Sequence, residues 1–135
     1  MANKLYDKAR EKFLDGFLSW SSSDIKIALV NPTYSPDLIN DEFADVIGVP
    51  NIIAISGNLT GKSSMTGIAG ADTVVFLSVA AGNWVSQLVG FKDVGGVLAN
   101  SPLIFNINTA TSFPIYTNGG NITVVWDNIN KIFKL

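Results

Sequence analysis

Cysteine and histidine are both absent from the 135 residues. Without them there are no disulfides, no thiolate nucleophile, no Ser-His or Cys-His pair, and no zinc site of the common kind. The absence does not fix a compartment. Charge is scarce as well: 15% of residues are charged, where about 25% is usual. The scarcity is uneven, because the ninety residues from Val46 to Leu135 carry only seven charges: Lys62, Asp72, Lys92, Asp93, Asp127, Lys131 and Lys134. The net charge of −2 provides no basic footprint for a nucleic acid. Although 47% of the chain is apolar, no run approaches the roughly 18 residues of a membrane span. The opening "MANKLYDKAREKFLDGFLSW" carries charges through to Asp15 with no long apolar core, so it does not read as a signal peptide.

What is present is a chain sized for one domain, residues 1–135, rich in Asn, Thr, Ser and Gly. Two readings account for so neutral a surface. Neighbouring subunits cover it, since the centres of interfaces are depleted in charge, or a β-protein relies on uncharged polar side chains for solubility.

Residues 3–18 have helical spacing. Leu5, Ala9, Phe13 and Phe17 recur every four residues, joined by Tyr6, Leu14 and Leu18, with Lys4, Asp7, Lys8, Arg10, Glu11 and Lys12 on the other side. "DIKIALVN" reads as a strand stopped by Asn31-Pro32. "YSPDLINDEFADVIG" suggests a short helix near 36–47, with Ser35 as N-cap, Pro36 at the first position and Gly48 as the stop. From there the chain alternates apolar runs with turn residues. The runs are "NIIAIS", "DTVVFLSVA", "NWVSQLVGFK", "SPLIFNIN", "SFPIY", "NITVVWD" and "KIFKL". Short strands at this spacing predict a mainly β fold: an antiparallel β-sandwich or barrel of about residues 24–135, carrying an N-terminal amphipathic helix.

"SGNLTGKSS", residues 56–64, has the look of a phosphate-binding loop after a strand. The pattern G-x-x-x-x-G-K-[ST] needs one more residue between its glycines than Gly57 and Gly61 allow. Gly67 and Gly70 also follow where a helix N-terminus should face the anion. The stretch is therefore read as a strand end and an extended hairpin, with Lys62 solvated near its tip. Asp37, Asp41 and Asp45 with Glu42 could face a calcium ion, but no EF-hand spacing is present and a solvated helix face accounts for them. Asp93 and Asp127 are isolated acids, and Asp127 reads as the start of the turn "DNIN". Trp20, Trp84, Trp126, Tyr34 and Tyr116 could form a sugar-stacking platform; Trp126 alternates with Val124 and Ile122 on what reads as a core face, while Trp84 opens a strand and reads as exposed. No nucleophile, base and oxyanion donor come together, so no enzyme is expected and no catalytic, cofactor or metal residue is assigned.

The stretches "MANKLYDKAREKFLDG", "DIKIALVN" with "YSPDLINDEF", "LTGKSS" with "GIAGADTVVF", and "PIYTNGGNITVVWDNINKIFKL" resemble, in that order, a family of small virion structural proteins of tailed bacteriophages. The resemblance spans most of the chain and carries no functional residue with it. It implies a capsid or tail component. Within that class a compact, acidic chain without coiled-coil or repeat segments favours a head decoration (cement) protein on the capsid exterior. Such a protein is made in the host cytoplasm and partnered by the major capsid protein and by itself as a homo-oligomer, a trimer among the options. The net charge of −2, the short apolar runs and the mixed charge of the N-terminal helix predict no nucleic-acid or membrane partner. A tail or neck component and a β-sandwich module that binds glycans are the alternatives.

Overall fold

A computed structural model describes residues 3–109, 113–129 and 131–135. The chain runs β1 (Asn3–Leu5), α1 (Asp7–Asp15), β2 (Ile25–Val30), β3 (Ile52–Ile55), β4 (Ile68–Ala69), β5 (Val74–Phe76), β6 (Trp84–Val85), β7 (Gln87–Lys92), β8 (Leu103–Ile107), β9 (Ile115–Tyr116), β10 (Ile122–Val124) and β11 (Phe133–Lys134). Five strands form one antiparallel sheet in the order β1-β8-β7-β2-β3, and three two-stranded ribbons pair β10 with β5, β11 with β4 and β6 with β9. The fold is mainly antiparallel β with one α-helix among the described residues. The edge strands β1 and β3 do not pair, so the sheet is open and the barrel alternative drops out.

The inner strands β7 and β8 are buried on both faces, which explains why "QLVGF" and "LIFNI" are near-continuous apolar runs rather than alternating ones. Register puts Leu5, Phe105, Gly90 and Ile27 on one face. There the Phe105 ring lies directly over Gly90, so close that a Cβ at Gly90 would sit 2.0 Å from it. Phe133 of β11 packs at a tilt on Phe105 at 5.8 Å between centroids and edge-to-face with Trp20 at 5.2 Å, and meets Phe13 of α1 at 6.2 Å. Helix and C-terminal ribbon thus cover the same face.

The opposite face holds the neutral polar pair Gln87 and Asn106, both buried. The Asn106 carboxamide donates to Gln87 Oε1 at 2.9 Å. Gln87 Nε2 in turn donates to the carbonyls of Asn31 and Tyr34 at 3.0 and 2.7 Å. Tyr34 shares a 2.7 Å hydrogen bond with Tyr6 and donates to Asp41 at 2.8 Å. This network fastens the segment between β2 and β3 onto the sheet, and every buried side-chain polar atom in the described residues has a partner. Burial pushes the Tyr6 hydroxyl up to about 12 and raises Tyr34 as well, with the neighbouring Asp41 carboxylate adding to both.

Two expected helices are shorter than their apolar spacing suggests. Residues 3–5 join the sheet as β1, because their backbone completes the ladder of β8. At the far end Gly16 takes φ 82, a left-handed stop that ends α1 at Asp15. Ala9 and Leu18 are buried as expected, but Leu14 is 88% and Phe17 70% exposed. Leu14 lies about 140° around the helix from Ala9, and Phe17 lies beyond the cap. In the second case, only a 3-10 turn at Ala44–Ile47 forms, ended by Gly48 as expected. Upstream, Asp37 accepts the backbone N–H groups of Ile39 and Asn40, and Asp41 N–H donates to Asp37 O at 2.9 Å, so a single turn closes around Asp37 and does not run on into Ala44–Ile47. The expected turns at 108–112 and 127–130 lie partly outside the described residues.

Candidate functional site

The stretch "WV-S-QLVGFK" reads as one strand in sequence, yet Ser86 breaks it into β6 and β7. β6 then leaves the main sheet and pairs with β9: Trp84 sits opposite Tyr116 and Val85 opposite Ile115. Alternation does the rest. Val85 is fully buried, whereas Trp84 and Tyr116 turn outward, 50% and 56% exposed. Their rings meet across the ribbon at 4.9 Å, tilted by 57°, a cross-strand aromatic contact that steadies both. The ribbon end is tied by the buried Thr117, whose Oγ1 accepts from Asn83 N–H at 2.9 Å and whose own N–H donates to Asn83 O at 2.8 Å.

Beside this pair lies an open cleft of about 330 Å³ lined by Pro32, Trp84, Ser86, Asn108, Phe113 and Pro114. It sits where three strand ends coincide: the last residue of β2, the first of β7 and the last of β8. The Gln87 bonds to Asn31 and Tyr34 hold the turn that carries Pro32. Among the described residues no charged side chain lines the cleft.

The other candidates raised by the sequence disperse into structural roles. Trp20 is buried and donates its indole N–H to Gly70 O at 3.0 Å; Trp126 donates to Asp72 O at 3.0 Å. Trp126, Val124 and Ile122 pack against the core along one face, as their alternation predicts. Tyr34 is buried in the polar network. Of the five aromatics, only Trp84 and Tyr116 come together.

The hairpin after β3 forms as expected. Ser63 and Gly70 exchange backbone hydrogen bonds at 2.9 Å, and Thr60 Oγ1 donates to Asp72 at 3.0 Å. Its tip, however, is the 3-10 turn Met65–Gly67, and Lys62 lies before that turn, half-buried rather than freely solvated. The Lys62 ammonium bonds Ser23 O, and burial holds its pKa below the ordinary value, with Asp24 opposing. No helix follows to supply free N–H groups, so the loop lacks the cradle of a phosphate site, and Lys62 is held by a carbonyl instead.

Of the acidic residues raised by the sequence, all but Asp45 are engaged as well. Glu42 pairs with Lys12 at 2.8 Å and Asp93 with Lys26 at 3.2 Å. The Asn40 side chain and backbone hold Asp37 below the usual carboxylate range. Asp127 accepts the Ile129 N–H at 3.2 Å, the turn role expected of it. No group of three or more acidic side chains that could hold a metal occurs among the described residues.

Sequence reasoning missed Pro32, Ser86, Asn108, Phe113 and Pro114 as cleft residues. Pro32 reads as a strand stop and "SFPIY" as a plain strand; the clustered aromatic and proline residues of Phe113–Tyr116 are the available signal. The partners themselves lie 32 positions apart and meet only through register. No protein-family model matches the chain, and no curated protein matches it either.

Proposed function

We propose that this chain is a bacteriophage head decoration protein that stabilises the shell by docking on the outer capsid surface. The observation that carries the reading is the character of the exposed surface. Among the described residues sixteen large apolar side chains are exposed, and thirteen of them lie after residue 45, the stretch with seven charges. Five of those seven charges are engaged inside the chain: Lys62 on Ser23 O, Lys92 on Phe17 O, Asp72 with Thr60, Asp93 with Lys26, and Asp127 in its turn.

Exposed apolar side chains scattered singly are ordinary. On the β5–β10 ribbon they are grouped. Val74, Phe76, Ile122 and Val124 pack inward, so Val75 and its register partner Thr123 face out. Leu77, 74% exposed, and Val125, 73% exposed, extend the same outer face at opposite ends. A neutral strip of this kind matches the charge-depleted centre of a protein interface. Burying apolar area at about 25 cal/mol per Å² offsets the cost of association, and repetition over a lattice makes weak single contacts durable. The resemblance to virion structural proteins supports the same assignment and supplies the major capsid protein as partner.

The test is addition of the protein to undecorated heads. Binding should saturate at a fixed copy number per capsomer and raise the temperature at which heads disrupt. The double variant Leu77→Asp with Val125→Asp should fold normally and bind at least tenfold more weakly. Binding only to purified tails or necks would replace the reading with the tail-component alternative; no binding to any particle would remove it.

A further inference from the structure

Three tryptophans sit in this chain, and two are accounted for by the fold: Trp20 and Trp126 each donate the indole N–H to a backbone carbonyl. The Trp84 indole N–H has no protein acceptor among the described residues. Neither does the Tyr116 hydroxyl, the Ser86 hydroxyl or the Asn108 carboxamide have a side-chain hydrogen bond there, although the fold satisfies every buried side-chain polar atom. Three of these unengaged polar groups, on Trp84, Ser86 and Asn108, line a cleft of about 330 Å³, and the exposed Tyr116 ring stands beside it against Trp84.

We propose that the Trp84–Tyr116 cleft binds a neutral hexopyranose, as a free glycoside or as the terminal residue of a glycan. The chemistry on each side of such a ring matches the chemistry of the cleft. One face of a pyranose presents C–H groups, made slightly positive by the attached oxygens, which sit well on the negative face of an aromatic ring. Its edge carries hydroxyls, each of which both gives and accepts a hydrogen bond. Ser86 and Asn108 in the cleft lining also do both, and Trp84 gives. A cavity of a few hundred cubic ångströms, apolar with a few polar groups at its rim, is of ordinary ligand-site size.

Two other occupants fit less well. An acidic sugar needs a cation, and none of the described residues lining the cleft supplies one. A proline-rich peptide also docks on Trp, Tyr and Pro surfaces, but its backbone offers carbonyl acceptors and few donors, leaving the acceptor side of this rim unused. The platform is built before the ligand arrives, since Thr117 and Asn83 tie the ribbon and Val85 and Ile115 anchor it inward. A single shallow cleft binds weakly, so occupancy on a surface depends on several copies acting together.

The experiment uses the full chain, biotinylated and tetramerised on streptavidin, on an array holding neutral glycans, acidic glycans and proline-rich peptides. Neutral hexopyranose-terminated spots should bind. The matching methyl glycoside should perturb tryptophan fluorescence of the free protein in titration. Trp84→Ala should lower the signal at least tenfold, Trp84→Phe should retain part of it, and Asn108→Ala, an exposed change that leaves packing alone, should lower it several-fold. The Leu77→Asp, Val125→Asp variant should bind glycans as wild type does, so this site and the docking face fail or stand separately. An array without glycan signal overturns the proposal, as does binding unaffected by both Trp84→Ala and Asn108→Ala. Preference for the acidic glycans or for the proline-rich peptides overturns it equally.

Discussion

Tyr6 and Tyr34 show how one buried hydroxyl pair constrains both folding and pH response. Their 2.7 Å bond joins residues 28 positions apart and leads on to Asp41, Gln87 and Asn106. Burial raises the Tyr6 hydroxyl from its ordinary value of 10.0 to about 12, chiefly by desolvating the phenolate. The folded-state value lies above the unfolded one. Between about pH 10 and pH 12 the native state therefore keeps a proton that the unfolded chain has released. Stability should be unaffected by this group below about pH 10 and fall through that window, by about 1.4 kcal/mol per pH unit for each tyrosine held neutral. Urea unfolding at pH 8, 10 and 11 measures it. Tyr6→Phe should cost about 1 kcal/mol at pH 8 through the lost hydrogen bond and flatten the alkaline decline relative to wild type. Parallel declines in the two proteins would show that Tyr6 is not the titrating group.

At the scale of elements, the β7–β8 pairing is where sequence and structure inform each other best. Glycine in the middle of a buried strand weakens it unless a neighbour needs the space. Here the need is the Phe105 ring, which occupies the position a Cβ at Gly90 would take and reaches Phe133 beyond it. Gly90→Ala should force the ring off its rotamer and cost about 1–3 kcal/mol, a drop in Tm of roughly 3–4 °C for each kcal/mol. Phe105→Leu in the same background should recover part of that loss, and thermal melts of the three proteins decide it. An unchanged Tm in Gly90→Ala would mean the ring yields freely. The glycine is visible in the sequence, but its partner is not. All eight apolar runs expected as strands contain one, because burial on one or both faces writes itself into local composition. β1 hides in a helical pattern, since nothing local in "NKL" announces that β8 needs an edge partner. β4 is two residues long, too short to have a period. The same limit hides the cleft. Trp84 is legible as exposed, yet its pairing with Tyr116 and the approach of Pro32 and Asn108 are set by long-range register. Lys62 goes the other way: its spacing pattern is local, and a distant carbonyl at Ser23 decides its role.

Across the whole molecule, charge and apolar surface are segregated along the chain. Three of the four ion pairs among the described residues lie on α1 and its surroundings, Lys8–Glu11, Arg10–Asp7 and Lys12–Glu42, and the fourth, Lys26–Asp93, joins β2 to the end of β7. The later strands present Val75, Leu77, Val125 and Ile129 instead. This segregation distinguishes two ways of docking on a shell. Contacts made by exposed charges weaken as salt shortens the Debye length from about 10 Å at 0.1 M to about 3 Å at 1 M. Contacts made by apolar burial do not, and kosmotropic salts strengthen them. Because the outer face of the β5–β10 ribbon is built from Val75, Leu77, Thr123 and Val125, none of them charged, the docking face has little charge to be screened. Binding to undecorated heads should therefore change less than threefold between 0.05 and 1 M sodium chloride, roughly the window over which that screening length collapses. It should tighten in sodium sulfate, as measured by co-sedimentation at several protein concentrations. A tenfold or greater loss over the chloride series would place the contact on the charged helical side instead. Leu77→Asp with Val125→Asp should then bind as wild type does, and the docking face proposed on the β5–β10 ribbon would be wrong.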